Sequence, residues 1–521
     1  MSVTRPAAVM ILAAGEGTRM KSSTPKVLHC IGGRSLLHHA IDAAQGLDPE
    51  RLVVVVRHAR DEVAAHAHEA APDALMADQD DIPGTGRAVW CGLTALDATA
   101  MAAAAARGLA REDVISMQAT GPIVVTSADV PLVDTQLLET MLADHTAGGR
   151  AVTVMTARVD DATGYGRIVH DADGAVARIV EHKDATQDER AITEINAGLY
   201  VFDAATLREV LGGLDRDNAQ GELYLTDVIA IARAAGKQVG AFVAPDPRAV
   251  EGVNDRVQLA AMGAALNRAV LDAWMRSGVT IVDPATTWID VTVTLEPDST
   301  VLPGTQLHGT TAVATGAVVG PDSTLTDVTI GKDATVIRTH GSSSTIGEGA
   351  TVGPFSYLRP GTVLGAGGKI GAFVETKNAN IGAHSKVPHL SYVGDATIGE
   401  HSNIGASTIF VNYDGVNKNH TTVGDHVRIG SDNSLIAPVT IGDGAYTGAG
   451  AIIRRDVPSG ALGRNSVPQQ VIEGWVASHR PGTESAEAAA RVKQPGGADA
   501  RGRSEPISFS QDDAGSERGK Q

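Results

Sequence analysis

The segment Leu12-Ala13-Ala14-Gly15-Glu16-Gly17-Thr18-Arg19-Met20, followed by Pro25-Lys26, sets a glycine-rich turn beside two cations. A turn of this kind at the carboxyl end of a buried strand exposes backbone N–H groups where an anion can sit. Arg19 and Lys26 supply the fixed positive charge that triphosphate chemistry needs. The pattern has neither the third glycine of a dinucleotide fingerprint nor the Gly-Lys-Ser/Thr end of a P-loop. Gly15-x-Gly17 by itself fits an ordinary tight turn equally well. Asp129, in Ser127-Ala128-Asp129-Val130-Pro131, follows the apolar run Ile123–Thr126. There a carboxylate points into a ligand crevice and can hold Mg2+ between phosphates; its alternative role is to cap the next helix. Gly164-Tyr165-Gly166-Arg167 and Glu181-His182-Lys183-Asp184 are polar clusters flanking strands, each also readable as a solvated turn.

The elements that must position these groups alternate over residues 1–250. Val9–Leu12, Leu52–Val56, Ile123–Thr126, Val152–Met155 and Leu199–Phe202 read as buried strands. Ser35–Gln45, Gly86–Leu96, Thr135–His145 and Thr226–Ala235 read as the helices between them. The alternation predicts an α/β layer with a mostly parallel sheet. Residues 100–110, almost all alanine, predict a helical surface insertion. In residues 254–277, Leu259, Met262, Leu266, Val270 and Trp274 fall on one face of a linker helix.

Beyond Gly278 the period changes to six. Ile289, Leu295, Val301, Leu307, Val313, Val319 and Leu325 are evenly spaced, as are Ile346, Val352, Leu358, Leu364 and Ile370, and glycine often follows the aliphatic residue. A period of six fits neither a helix nor a hairpin meander. It is the signature of a hexapeptide parallel β-helix, with one aliphatic side chain per short strand pointing inward. Arg338–Ser344 and Phe410–Thr422 interrupt it, and interruptions of a solenoid map to loops that tend to carry ligand groups.

Net charge is −18, from 43 Lys and Arg against 61 Asp and Glu. So acidic a chain is a poor generic binder of nucleic acid or of an anionic membrane, so any phosphate must be captured locally. Aromatic residues at 3% argue against a base-stacking surface. Two cysteines, Cys30 and Cys91, cannot build a disulfide framework or a multi-cysteine zinc site. No window approaches the 18 apolar residues of a membrane span, and the expected location is the cytoplasm. Residues 476–521, rich in Pro, Gly, Ser and Ala, are expected to be disordered.

Taken together, Leu-Ala-Ala-Gly-x-Gly-Thr-Arg-Met with Pro-Lys, Pro83-Gly84-Thr85-Gly86, Tyr165-Gly166-Arg167-Ile168, Glu181-His182-Lys183-Asp184, Glu194-Ile195-Asn196-Ala197-Gly198 and Glu251-Gly252-Val253-Asn254 resemble a nucleoside-diphosphate-sugar pyrophosphorylase domain. Arg359-Pro360-Gly361, Phe373-Val374-Glu375-Thr376-Lys377, His389-Leu390-Ser391-Tyr392-Val393-Gly394-Asp395 and Asn412-Tyr413-Asp414-Gly415 follow in the repeats. In this order, over about residues 5–475, the motifs are similar to the bacterial family of bifunctional N-acetylglucosamine-1-phosphate uridyltransferases and glucosamine-1-phosphate acetyltransferases.

The resemblance implies a Rossmann-like nucleotidyltransferase over residues 1–253, a linker helix over 254–277 and a left-handed parallel β-helix acetyltransferase over 278–475. It implies that Leu12, Ala13, Ala14, Gly15, Gln79, Gly84, Thr85, Ser127 and Ala128 border a uridine nucleotide, with Lys26 and Arg19 clamping the triphosphate. Gly166, Glu181 and Asn196 would contact the sugar, and Asp129 and Asn254 would hold Mg2+. In the repeats, His389 would accept the proton of the glucosamine-1-phosphate amine, a role that suits an imidazole titrating near neutrality. Arg359 and Lys377 would clamp the sugar phosphate, and Tyr392 and Asn403 would contact the sugar. Ala406, Asn412, Tyr413, Ser431 and Ala449 would border acetyl-CoA, with Lys418 an extra cation for its phosphates. The implied substrates are glucosamine-1-phosphate, acetyl-CoA, N-acetylglucosamine-1-phosphate and UTP, and the implied assembly is a homotrimer.

The chain departs from that family pattern at Ser466, where an arginine near CoA is expected, at Ala128, where glycine is usual before the aspartate, and at Asp255. Two other readings stay open at this level. One is a sugar nucleotidyltransferase whose β-helix only assembles or regulates; the other is a non-catalytic scaffold.

Overall fold

The computed structural model describes residues 5–106, 118–465 and 469–491. Nine strands form the first sheet: β1 (Ala8–Leu12), β2 (Leu52–Val56), β3 (Leu75–Asp78), β4 (Pro122–Ser127), β5 (Val152–Arg158), β6 (Arg167–His170), β7 (Val176–Val180), β8 (Glu194–Asp203) and β9 (Val239–Val243). The main path runs β9-β5-β8-β4-β1-β2-β3, and β6 joins β8 to the hairpin partner β7. The alternation of each strand explains its burial. Val9, Ile11, Val54, Val56 and Val124 pack into one layer of helices, while Ala8, Met10, Val53, Val55, Ile123 and Val125 pack into the other. Both faces are covered, as a parallel sheet requires.

The five predicted strands are present. The sheet is mostly parallel along its path, but β8 runs antiparallel to both β4 and β5. A strand buried on both faces carries no mark of its direction in its side chains, so this reversal is invisible to pattern. The helix Thr85–Ala106 extends well past the predicted end at Leu96 into the alanine run. Residues 107–110 of that predicted insertion lie outside the described residues.

The helix Arg256–Arg276 starts on Asp255, whose side chain accepts from the N–H groups of Val257 and Gln258 at 2.9 Å. Leu259, Met262 and Leu266 pack with Ile31, Leu36 and Val253 of the first domain. Leu271 is part of the β-helix core, and Val270, Trp274 and Met275 pack against it. A buried amide completes the junction. Asn267 Nδ2 donates to the Thr287 carbonyl at 2.8 Å, and its Oδ1 accepts from Ile289 N–H at 3.0 Å.

From Thr280 the chain winds into parallel ladders in which Ile289 pairs with Leu307, Leu307 with Leu325, and Val301 with Val319, eighteen residues apart. Three hexapeptides therefore make one coil, and the predicted aliphatic positions form one continuous core. Each coil turns three corners. At one of them Asp298, Gly316, Asp333, Gly349, Gly367, His384, His401, His426, Gly444 and Gly460 all hold φ between 55° and 71°. Asp and Asn tolerate this left-handed region better than most residues, which explains the polar corner composition. Where coils touch backbone to backbone, only glycine fits. A Cβ on Gly371 would stand 1.9 Å from the Pro388 carbonyl oxygen of the next coil.

Disorder over all of residues 476–521 does not hold. Short helices cover Trp475–His479 and Glu484–Arg491. None of their side chains is buried, so local factors hold them: Ala486 N–H donates to the Thr483 hydroxyl, and glutamates sit in the first turn of the second helix. Residues 492–521 lie outside the described residues. Among the described residues, no helix is long and apolar enough to cross a membrane.

The Gly371 contact yields an expectation. Gly371→Ala should destabilise the β-helix by about 1–3 kcal/mol, because backbone rather than a movable side chain blocks the methyl group. Calorimetry of the full chain would measure it; an unchanged melting midpoint would mean that the coils are not packed this closely.

Candidate active sites

β1 and β4 are adjacent parallel strands, with Leu12 in register with Ser127. The chain leaves β1 toward β2 on one side and later returns to β4 on the other. Their carboxyl ends therefore open at a switch point, where open α/β sheets bind ligands. A cavity of about 970 Å³ lies there. Leu12, Ala14, Gly15, Lys26, Gln79, Gly84, Thr85, Ser127, Asp129, Gly166, Glu181, Asn196 and Asn254 all line it. Ala13 and Ala128 do not. Their side chains are buried, and their N–H groups are taken by the carbonyls of Val55 and Leu12.

Lys26 and Asp129 form an ion pair whose side chains are only 11% and 21% exposed. Gly17 makes this approach possible: it has φ 68°, and a Cβ there would meet Lys26 Cβ at 2.4 Å. Ser127 Oγ donates to the other oxygen of Asp129 at 2.6 Å. Asn254 arrives from far along the chain because Val253 N–H donates to the Asp129 carbonyl at 2.8 Å. Its Oδ1 accepts from Arg19 Nη2 at 2.8 Å and lies 3.5 Å from Lys26 Nζ. Arg19 is thus tied to the cluster through Asn254, although its side chain is not part of the cavity wall.

At the far side of the cavity, Asn196 N–H donates to the Gly166 carbonyl at 2.9 Å, fixing two predicted residues to each other. Thr226 Oγ1 donates to Glu181 Oε1 at 3.3 Å. Burial pushes the Glu181 carboxyl above its usual range, and Asp184, Asp227 and Glu222 add to the shift against the Thr226 hydrogen bond. The wall also includes Arg57, His58, Glu222 and Thr226, which belong to none of the motifs. Thr226 reaches the site through a tertiary fold-back: Leu225 N–H donates to Thr85 Oγ1 at 3.2 Å.

The second group of candidates lies on the β-helix. His389 ends the strand Lys386–His389 and is exposed. Its carbonyl accepts from the Ser391 hydroxyl at 2.7 Å and from Ser407 N–H at 3.3 Å. The same step repeats below it, with Asp432 N–H on the Ala406 carbonyl and Gly450 N–H on the Ser431 carbonyl, both at 2.8 Å. His389, Ala406, Ser431 and Ala449 therefore occupy one column along successive coils, with only small side chains beneath the imidazole.

Arg359 Nη1 pairs with Glu375 Oε1 at 3.0 Å. Lys377 lies against Lys418, which pushes the Lys377 ammonium below its ordinary range, with some burial and the Arg359 charge acting in the same direction. Lys418 thus stands with the two clamp residues. Asn412 Nδ2 donates to Asp395 Oδ2 at 2.6 Å and lies 3.4 Å from the Tyr392 hydroxyl. Asp395 also accepts from Asn378 at 2.9 Å. Burial works against the Asp395 carboxylate, but those two amides and the nearby lysines hold its pKa down. Asn403 bridges the coils through Lys386 and Arg428. Tyr413 is exposed in the loop after Asn412, and its hydroxyl donates to the Gly415 carbonyl at 2.7 Å. Ser466 lies outside the described residues.

The raised Glu181 pKa has a definite sign. Below the ordinary carboxyl range of about 4.3 the group is neutral in both folded and unfolded chains; above its raised folded value a buried charge weighs against the folded state. Glu181→Gln should therefore leave the melting midpoint unchanged near pH 4 and raise it at pH 8, with each kcal/mol worth about 2–4 °C in a domain of this size. Calorimetry at the two pH values measures this, and a lower midpoint at pH 8 would contradict it.

A family profile described as Nucleotidyl transferase matches residues 8–291, and one described as Bacterial transferase hexapeptide (six repeats) matches residues 420–455. The chain is similar to a protein named Bifunctional protein GlmU from Kineococcus radiotolerans, 60% identical over 94% of this chain and 95% of the relative. A protein of the same name from Pseudarthrobacter chlorophenolicus is 59% identical over 93% and 95%, and one from Corynebacterium efficiens is 57% identical over 93% and 97%. These similarities cover both the sheet domain with its cavity and the solenoid with its imidazole column, and the solenoid is the left-handed parallel β-helix of hexapeptide transferases. Matched at this level along nearly its whole length, the chain belongs to the bifunctional GlmU family.

Proposed function

We propose that this chain makes UDP-N-acetylglucosamine at two separate sites, by acetyl transfer on the β-helix and uridylyl transfer in the sheet domain. Residues 1–253 would carry the second step and residues 278–475 the first, joined by 254–277. The observation that carries this reading is that one chain holds both sets of residues at different places. One set surrounds the Lys26–Asp129 pair in a cavity, and the other follows the His389 column with its neighbouring cations.

In the acetyl step, the amine of glucosamine-1-phosphate attacks the thioester carbonyl of acetyl-CoA. A C–N bond forms and the C–S bond breaks; the amine proton passes to His389 and then to the departing CoA sulfur. Arg359, Lys377 and Lys418 hold the sugar phosphate, so Lys418 serves this clamp rather than the CoA phosphates. The small side chains of Ala406, Ser431 and Ala449 leave a channel below His389 for the arm of acetyl-CoA. Asp395 orients Asn412 toward it.

In the uridylyl step, an oxygen of N-acetylglucosamine-1-phosphate attacks the α-phosphorus of UTP and pyrophosphate leaves. The protein forms no covalent bond; it positions and neutralises. Lys26 and Arg19 hold the triphosphate, while Gly166, Glu181 and Asn196 face the sugar. Asp129 and Asn254 offer two hard oxygen donors, and both already face a cation, the Lys26 ammonium. That donor set suits Mg2+, which takes its other ligands from phosphates and water. When bound, the ion draws charge from the phosphate oxygens. All four substrates are water-soluble, and the reading places the reactions in the cytoplasm.

We also assign a homotrimer built through the β-helix. Phe355, Phe373 and Leu390 follow one another at a corner beside His389 and are 53%, 58% and 56% exposed. A second copy would cover these side chains and wall the open acetyl-transfer site. Light scattering of the full chain measures the assembly state.

Two substitutions separate the sites. His389→Ala should abolish CoA release from acetyl-CoA and glucosamine-1-phosphate while pyrophosphate release from UTP continues. Asp129→Ala should do the reverse. Loss of both activities by either folded variant would overturn the two-site reading. Lys418→Ala should raise KM for glucosamine-1-phosphate about tenfold, the loss of one charge-assisted contact, and leave KM for acetyl-CoA within about twofold. The opposite split would return Lys418 to CoA.

A further inference from the structure

Arg167 heads the volumes of the fully buried side chains, at 2% exposure. Among the described residues no carboxylate stands within ion-pair distance of it, and its Nε has no hydrogen-bond partner. A buried cation with no carboxylate in direct contact, Asp161 and Glu181 acting on it only from farther off, is costly, so a strong reason must keep it there. Its contacts supply the reason. Nη1 donates to the Tyr165 carbonyl, and Nη2 donates to His182 Nδ1 at 3.3 Å. Tyr165 and Gly166 belong to one wall of the cavity, and Glu181, next to His182, belongs to another. Arg167 sits on β6, in register with Val180 of β7 on one side and Ile195 of β8 on the other. It is thus placed to clip the two turns together from beneath.

We propose that Arg167 and His182 form a lock that positions the Tyr165–Gly166 and Glu181 walls for the sugar phosphate. The inference rests on the reading of this cavity as the uridylyl-transfer site. Arg167 touches no substrate; it is a positioning residue. A guanidinium meets the two acceptors with two separate nitrogens of a planar fork, a geometry that a single-nitrogen ammonium does not reproduce. The far end of the His182 turn is held independently by Thr186 and Glu189, which form a reciprocal capping box, and by Arg178 on Glu189. At the near end, Thr226 holds the Glu181 carboxyl and Ala219 N–H holds Asp184, and Arg167 supplies the contact that ties this turn to Tyr165.

The lock needs His182 Nδ1 as an acceptor, since a guanidinium can only donate. The charged groups around the pair are Asp161 from the turn before β6, Arg190 from the helix Gln187–Arg190, and Glu181, Lys183 and Asp184 beside His182.

The test uses the full chain with UTP and N-acetylglucosamine-1-phosphate, following pyrophosphate release. Arg167→Lys should raise KM for the sugar phosphate about tenfold, the loss of one charged hydrogen bond, with KM for UTP and kcat within about twofold. The unchanged UTP value also shows that the domain is folded. His182→Gln keeps an acceptor oxygen and should hold KM for the sugar phosphate within about twofold, whereas His182→Ala should raise it about tenfold, as Arg167→Lys does. If the alanine variant keeps the wild-type KM, or the glutamine variant loses as much as the alanine one, the lock is overturned. Equal increases in both KM values would overturn it too. The histidine variants decide the matter if Arg167→Lys does not fold. A wild-type chain that released no pyrophosphate would instead overturn the uridylyl-transfer reading, and the lock with it.

Discussion

The contact between Lys26 and Asp129 sets the terms for the sheet domain. A chain with net charge −18 repels the polyphosphates it handles, so its few useful cations must be held in place against solvent and against the general field. Two mostly buried, opposite charges do this: each keeps the other desolvated and aimed into the crevice. The rest of the domain follows from the need to bring them together. Lys26 lies after the first strand and Asp129 after the fourth, and only the central pairing of β1 with β4 makes them neighbours. Arg19 and Asn254 extend the same compensation, and Arg359 with Glu375 repeats it on the solenoid.

The solenoid works under a different constraint. Its cross-section is set by one inward aliphatic side chain per hexapeptide and by corners held in left-handed conformation. Side chains at equal phase therefore line up in columns. Such a column is a ready-made track: His389 stands in it below Ala372, and small residues follow. The loop after Asn412 lengthens one coil, so that Ile398 pairs with Val423, and yet the ladder resumes with Val423 on Ile441. That excursion brings Lys418 to Lys377, which no regular coil would do.

How much of this was legible in the sequence follows the range of each interaction. The period of six announced the β-helix because each residue's environment is fixed by its own phase. The glycine-rich turn and Asp129 were legible because the end of a parallel strand is a local feature. The direction of β8 was not, since a doubly buried strand looks alike both ways. Thr226 and Glu222 enter the cavity only through the fold-back of Leu225 onto Thr85, a contact between distant segments. The His389 column was hidden because the long coil between Ala406 and Ser431 breaks its even spacing. In the sequence Arg167 is one position of a motif; its burial with no carboxylate in direct contact belongs to the packed structure alone. Local helix signals in Glu484–Arg491 were outweighed in the sequence by low hydrophobicity, which speaks to burial but not to a capped exposed turn.

The junction at Asn267 has a wider bearing. One helix grips the sheet domain with its first half and closes the end of the solenoid with its second, and the amide fastens that seal to the first coil. Beyond the seal, every coil touches only its neighbours. Adding or deleting whole coils between Thr280 and Arg359 would shift the imidazole along the axis by about 4.8 Å apiece without disturbing either set of reacting groups. The polypeptide is in that sense a ruler, and the gap between its two chemistries is a count of windings that evolution is free to change.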